Sequence, residues 1–166
     1  MSVDTGGIGR VIARRVVAVE RAPAAKFALA VKERDPVYQD PRAAADAGFA
    51  GIPVPPTFPF AMSYWGEHPE LQEGLEPVGA NPLWEVIGKL GPGLILHGEQ
   101  EFEYHRQVVV GDVLCGEDVL ADVYERESGN TVMTFMVTET IWRDHSTDEP
   151  VVTARFNLIH RARKRP

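Results

Sequence analysis

The clearest pattern in the chain is a period of two in its C-terminal half. Across residues 96–104, Gln100, Phe102 and Tyr104 fall on one face and Glu99, Glu101 and Glu103 on the other, as in a strand whose acidic side faces water. Residues 113–124, 131–142 and 151–159 are three further strand candidates. Ser128-Gly129-Asn130 carries hairpin-turn chemistry between the first two, and the polar stretch 144–150 leads into the last.

The N-terminal half reads differently. Residues 11–20, with Val11, Ile12, Val16, Val17 and Val19, predict an opening strand. Pro23 suits a first helical turn, and Phe27, Ala30 and Val31 give that helix an apolar face up to Glu33. Asp40-Pro41 is a cap followed by a first-turn proline, predicting a short alanine-rich helix over 42–47 that Gly48 stops. Thr57 is placed to cap a buried helix over 58–66, with Phe58, Met62 and Trp65 along one face.

Eight of the 13 prolines lie between Pro53 and Pro92, which predicts an irregular insertion over 66–93 with one short helix at 83–87. A flexible N-terminus (1–9) and a basic tail (161–166) complete the domain, 1–166. Helices first and an antiparallel sheet after them make an α+β fold without alternating βα units.

Of the 166 residues, 44% are apolar and 25% charged, an ordinary balance for one globular domain. Acidic residues outnumber basic ones 24 to 17, a net charge of −7, so the footprint of a nucleic-acid binder is missing. No apolar run approaches the roughly 20 residues of a membrane span, and residues 1–9 lack the pattern of a secretory signal. The single cysteine, Cys115, forms no internal disulfide and reads as a small buried residue. A soluble, cytoplasmic protein without a membrane partner is expected.

There is no GxSxG elbow, Walker loop, GxGxxG turn or CxxC pair. His68, His97, His105, His145 and His160 show no metal-ligand spacing, so no metal is expected. A cluster remains: Glu33, Asp35, Tyr38 and Asp40, followed by 49–58. Glu33 reads as a catalytic carboxylate or a solvated helix end, Asp35 and Asp40 as turn and cap residues, and Tyr38 as a packed phenol. Phe58, Phe60, Met62, Tyr64 and Trp65 read chiefly as core, with a subset lining an apolar tunnel. Arg161, Arg163, Lys164 and Arg165 suit either coenzyme A phosphates, an acidic carrier protein or plain solvation.

The run Glu33-Arg34-Asp35-Pro36-Val37-Tyr38, followed by 43–49 and by Ile52 through Thr57-Phe58, resembles the signature of MaoC-like enoyl-thioester hydratases. The segment 101–106 and Gly111-Asp112-Val113-Leu114 resemble later strands of the same family, so the likeness runs over most of 18–161. It implies a single hot-dog fold, a curved antiparallel sheet wrapped around a central apolar helix. In the family an Asp and a His position a water and exchange protons with the substrate. A backbone N–H near the start of the central helix stabilises the thioester oxygen.

The resemblance puts Glu33 on the catalytic Asp, Asp35 on an Asn and Tyr38 on the catalytic His. Pro55-Pro56 stands where the family has a His-Gly stretch. Tyr38 has a phenol pKa near 10, which suits proton shuttling poorly, and Pro56 has no N–H to offer.

The pattern thus resembles the N-terminal, FAS1-like dehydratase type of half-unit, akin to the non-catalytic subunit of hydroxyacyl-thioester dehydratases. What it implies is an acyl-thioester-binding component of a (R)-3-hydroxyacyl-CoA or -ACP dehydratase, a hydro-lyase of fatty acid metabolism. Glu33, Asp35 and Tyr38 are its degenerate catalytic positions, and Pro56, Thr57, Phe58, Met62 and Trp65 its substrate-binding ones. It needs no cofactor. Its partner would be a second hot-dog subunit, in a homodimer or heterodimer. One alternative is a self-sufficient hydratase or thioesterase using Glu33 or Asp35 with a histidine across the dimer. Another is a non-enzymatic acyl-chain binding module.

Overall fold

A computed structural model describes residues 3–164. The elements run β1 (Val11–Ala18), α1 (Arg21–Ala30), α2 (Pro41–Asp46), α3 (Ser63–Gly66), α4 (Pro82–Lys89), β2 (Leu94–Tyr104), β3 (Val113–Ser128), β4 (Thr131–Asp144) and β5 (Pro150–Arg163). The strands form one antiparallel sheet in the order β1-β3-β4-β5-β2. β3 and β4 meet in a tight hairpin where Ser128 faces Thr131 and Gly129 takes a φ of 56°. Register shifts in β2 (His97/Gln100) and β3 (Leu120/Asp122) bend the sheet.

The concave face closes over the segment that follows Pro56. Phe58 and Met62, each 1% exposed, pack there with Val17, Leu114, Trp142 and Val152. A second cluster, Val86, Leu120, Val123 and Met136, lies under α4. Each large side chain buried this way contributes about 2–3 kcal/mol. Inward and outward residues on β2 follow the alternation, with Glu99, Glu101 and Glu103 exposed and Phe102 and Tyr104 half-buried.

Four expectations need correction. The helix over 58–66 is broken: a 3₁₀ turn spans Phe58–Phe60, and α3 begins only at Ser63. The Phe58 N–H donates to the Pro55 carbonyl at 2.9 Å, Thr57 makes no capping bond, and Pro59 has no N–H with which to start a regular ladder. The same segment is not buried throughout, because Tyr64 is 74% and Trp65 48% exposed.

The expected flexible N-terminus is tied down over 3–9. The Gly9 N–H donates to the Leu120 carbonyl, and Asp4 pairs with Lys89. The expected basic tail is largely strand. Arg161 and Arg163 lie in β5, Lys164 pairs with Glu127, and positions 165 and 166 lie outside the described residues.

The two edges of the sheet differ. Along β1, the Gln72 side chain imitates a strand partner: its Oε1 accepts from Val16 N–H at 3.0 Å, and its Nε2 donates to the Val16 carbonyl at 2.6 Å. Gly66 lies so close to this edge that a Cβ would sit 2.4 Å from the Ala18 carbonyl oxygen. At the opposite end, β2 pairs only with β5 and exposes Leu94, Ile95 and Leu96. No helix among the described residues is long and apolar enough to cross a membrane.

Candidate functional site

The signature cluster sits where α1 ends. The chain turns at Lys32, whose φ is 61°, and the Glu33 N–H donates to the Ala28 carbonyl. Glu33 then folds back on its own turn, Oε1 accepting from the N–H groups of Arg34 (2.8 Å) and Asp35 (3.0 Å). Asp35 Oδ1 accepts from Val37 N–H at 3.0 Å and caps the 3₁₀ turn Pro36–Tyr38, and Asp40 caps α2 through Arg42 N–H at 2.8 Å. In these bonds the carboxylates hold backbone donors, the ordinary work of acids at turn starts.

Tyr38 closes this turn. Burial, and then the negative charges of Glu33 and Asp35, push its phenol above the ordinary value. Tyr104, at the end of β2, is pushed up further, by burial first and by Tyr38 second. Neither phenol gives up its proton at neutral pH. The Tyr104 hydroxyl donates to the Pro56 carbonyl at 2.7 Å. Glu33, Asp35, Tyr38, Tyr104 and the Pro56–Thr57 peptide thus share one region. Pro56 has no N–H, but the next amide, Thr57 N–H, is exposed and has no hydrogen-bond partner among the described residues.

Four of the five histidine side chains are engaged elsewhere. His97 packs against Phe60 and Phe156 with ring centroids 5.1 and 4.4 Å apart. His105 Nε2 is 3.1 Å from Thr153 Oγ1, His160 Nε2 is 2.9 Å from the Gly91 carbonyl, and His68 is 3.7 Å from Glu20. No imidazole among the described residues hydrogen-bonds Glu33.

A cavity of about 480 Å³ lies between the central segment, α4 and the concave face of the sheet, lined in part by Phe60, Tyr64, Trp84, His97 and Phe156. Of the expected acyl-contact residues, Phe58 and Met62 are core instead of wall, and Trp65 stacks on Phe58 with ring centroids 6.2 Å apart. Sequence reasoning missed Tyr104, which holds the Pro56 carbonyl, and Trp84, which lines the cavity. It also missed Arg15, Asp118 and Thr140, which line the cavity as well. A signal existed for Arg15: period two puts it on the same face as Val17 and Val19, where an unpaired arginine is costly.

Comparisons with known proteins agree with this architecture. The family profile described as "FAS1-like, dehydratase domain region" matches residues 7–154. A UPF0336 protein of Saccharopolyspora erythraea is 32% identical over 143 residues, covering 86% of this chain and 81% of that one.

Among solved structures, the ChsH1-ChsH2 complex from Mycobacterium tuberculosis superposes with a TM-score of 0.70 at 21% identity, over 90% of this chain and 83% of that one. The C-terminally truncated HadBC (3R-hydroxyacyl-ACP dehydratase) complex, also from Mycobacterium tuberculosis, gives 0.64 at 23% identity, over 90% and 96%. The profile match spans nearly the whole chain, and both superpositions cover 90% of it. The chain therefore belongs to the FAS1-like dehydratase region family and has its hot-dog fold.

Proposed function

We propose that this chain is the acyl-thioester-binding component of a (R)-3-hydroxyacyl-thioester dehydratase, working in the enoyl-hydratase direction as well, and that it depends on a second hot-dog subunit for proton transfer. The observation that carries this reading is the state of the signature positions. Glu33 accepts from two backbone amides, and no histidine among the described residues hydrogen-bonds it. Tyr38, in the shuttle position, holds its proton more tightly than a free phenol. Adding water across a conjugated thioester needs positioned groups that take and give protons, and here Tyr38 stands where the resemblance puts the histidine that would share this work with the carboxylate.

The similarity to two hot-dog subunit complexes supports a partner of the same fold, in a homodimer or heterodimer. The exposed Leu94, Ile95 and Leu96 on β2, and the Gln72 bonds that occupy Val16 on β1, favour β2 as the contact edge. What this chain would bring is the Thr57 amide, a donor for the thioester oxygen, and a cavity with room for an acyl group.

The test is hydration of a short enoyl-CoA by the purified chain, alone and mixed with a hot-dog subunit carrying an intact Asp-x-Asn-Pro-x-His signature. Turnover only in the mixture, unchanged by Glu33→Gln, is expected. Substantial turnover by the chain alone, abolished by Glu33→Gln, would favour the self-sufficient hydratase or thioesterase, for which the free Thr57 amide is the supporting feature. Tight acyl-CoA binding without turnover in any mixture would leave a non-enzymatic acyl-binding module.

A further inference from the structure

The face of the sheet turned away from the central segment breaks the usual alternation. Both core clusters lie on the concave side, so the opposite face of an antiparallel sheet should be polar. On β4, however, the outward positions include Met133, Phe135, Val137 and Ile141. The register puts Tyr124, Phe135, Ile159 and Leu96 in one row across four strands, and Tyr124 stacks on Phe135 with ring centroids 4.8 Å apart. At the margin, Leu96 is 40% and Leu94 61% exposed. A continuous apolar band on an open sheet face marks a contact surface.

Charge divides between the two ends of this band. Towards the Gly129 turn lie Arg126, Arg161 and Arg163, all exposed and none in an ion pair among the described residues. Arg126 lies over the rings of Tyr124 and Phe135. Towards the other end acids prevail, with Glu99, Glu101, Glu103, Glu117 and Glu139 against Arg14, Arg143 and Arg155. Arg14 is held by Glu117 at 2.7 Å, and Arg155 by Glu139 at 2.7 Å and Glu101 at 3.1 Å.

A face that is apolar in the middle, basic at one end and acidic at the other is complementary to itself. A two-fold axis across the strands sets each basic end over the other copy's acidic end. An axis along the strands would set arginine against arginine and glutamate against glutamate. The face bulges outward, so contact centres on the apolar row, and long Arg and Glu side chains span the gap towards the ends. A wholly acidic or wholly basic partner would match one end and oppose the other.

We propose that two copies of this chain associate back to back through this face, antiparallel and centred on Phe135 and Ile159. The contact leaves the backbone edge of β2 to the second hot-dog subunit, and it does not rest on the acyl-binding reading.

The experiment is sedimentation of the full chain across a range of protein concentrations. The wild type should self-associate reversibly, and Phe135→Glu should weaken that association at least about a hundredfold, because each dimer buries the substitution twice. Phe135 lies on β4, with β5 between it and β2, so this loss is separate from any pairing along β2.

A charge exchange tests the orientation. Arg126→Glu/Arg161→Glu/Arg163→Glu makes both ends acidic, and Glu99→Lys/Glu101→Lys/Glu103→Lys makes both basic. Each triple variant alone should associate more weakly than the wild type, and an equal mixture of the two more tightly than either. Circular dichroism and thermal unfolding verify the fold of every variant, and the charge exchange alone decides the matter if Phe135→Glu does not fold. A wild type that is monomeric at every concentration, an association unmoved by folded Phe135→Glu, or a mixture no tighter than its components overturns the proposal and leaves the acyl-binding reading intact.

Discussion

Tyr104 donates its hydroxyl to the carbonyl of Pro56 at 2.7 Å, and so orients the peptide whose N–H belongs to Thr57. In a trans peptide the carbonyl and the N–H point in opposite directions, so anchoring one aims the other. Double proline at 55 and 56 removes two donors from the mouth of the central segment, and the strand β2 supplies the group that holds the next donor in place.

Replacing Tyr104 by Phe keeps the ring and deletes that anchor. A single hydrogen bond of this kind is worth about 1 kcal/mol, so urea unfolding should show a loss of that order. Acyl-CoA affinity, read by calorimetry, should fall several-fold because the Thr57 amide is no longer held. A loss of stability with unchanged affinity would remove that amide from the binding site.

The same tyrosine sets an alkaline limit. Burial keeps its phenol protonated above the ordinary value near 10, with the Tyr38 charge as the smaller cause. The unfolded chain therefore loses this proton at lower pH than the folded one. The stability that Tyr104 contributes is complete below about pH 10 and declines as pH rises towards the folded value. Urea midpoints measured from about pH 8 to 11 should fall for the wild type and fall less for Tyr104→Phe.

The sheet was legible because its code is local. Alternation along β2 to β5 and the Gly129 turn require no knowledge of distant residues, and Asp40-Pro41 announces its helix within three positions. The central segment was misread because Phe58, Met62 and Trp65 satisfy a helical spacing, although Pro59 and the Pro55 carbonyl force a 3₁₀ start. The role of Gln72 was not legible at all, because its partner Val16 lies 56 residues away. For the candidate site, the resemblance put Glu33 and Tyr38 on the family's signature positions. Tyr104, Arg15 and Asp118 meet their partners only once the sheet has curled, and no spacing rule announces them.

An acid limit follows from the connection between β4 and β5. Asp144 accepts from the Ser146 hydroxyl and from the N–H groups of Ser146 and Thr147, and Arg106 adds a bond at 2.8 Å. These donors, the Ser146 hydroxyl first, hold its carboxyl down at about 2. A depressed folded value means that the stabilisation is present above the unfolded value near 4 and is lost as pH falls towards about 2. Asp144→Asn should lower the thermal midpoint at neutral pH and make it less sensitive to pH between about 4 and 2. Equal sensitivity in both proteins would place the acid transition elsewhere.

The last prediction concerns the edge that Gln72 closes. Its amide satisfies both the N–H and the carbonyl of Val16, and its Nε2 also reaches the His68 carbonyl at 3.2 Å, which ties the insertion to β1. Gln72→Ala exposes both Val16 groups on a strand edge, a template for pairing with another chain. Urea unfolding should show a loss of about 1–2 kcal/mol. Sedimentation should reveal self-association that grows with protein concentration. Gln72→Glu separates the two effects: it keeps the acceptor for Val16 N–H but repels the Val16 carbonyl, so it should destabilise while its charge still discourages pairing. If Gln72→Ala sediments like the wild type across the concentration range, the amide is a local brace and not the guard of that edge. The proposed preference for a partner at β2 would then rest on the apolar side chains of Leu94, Ile95 and Leu96 alone.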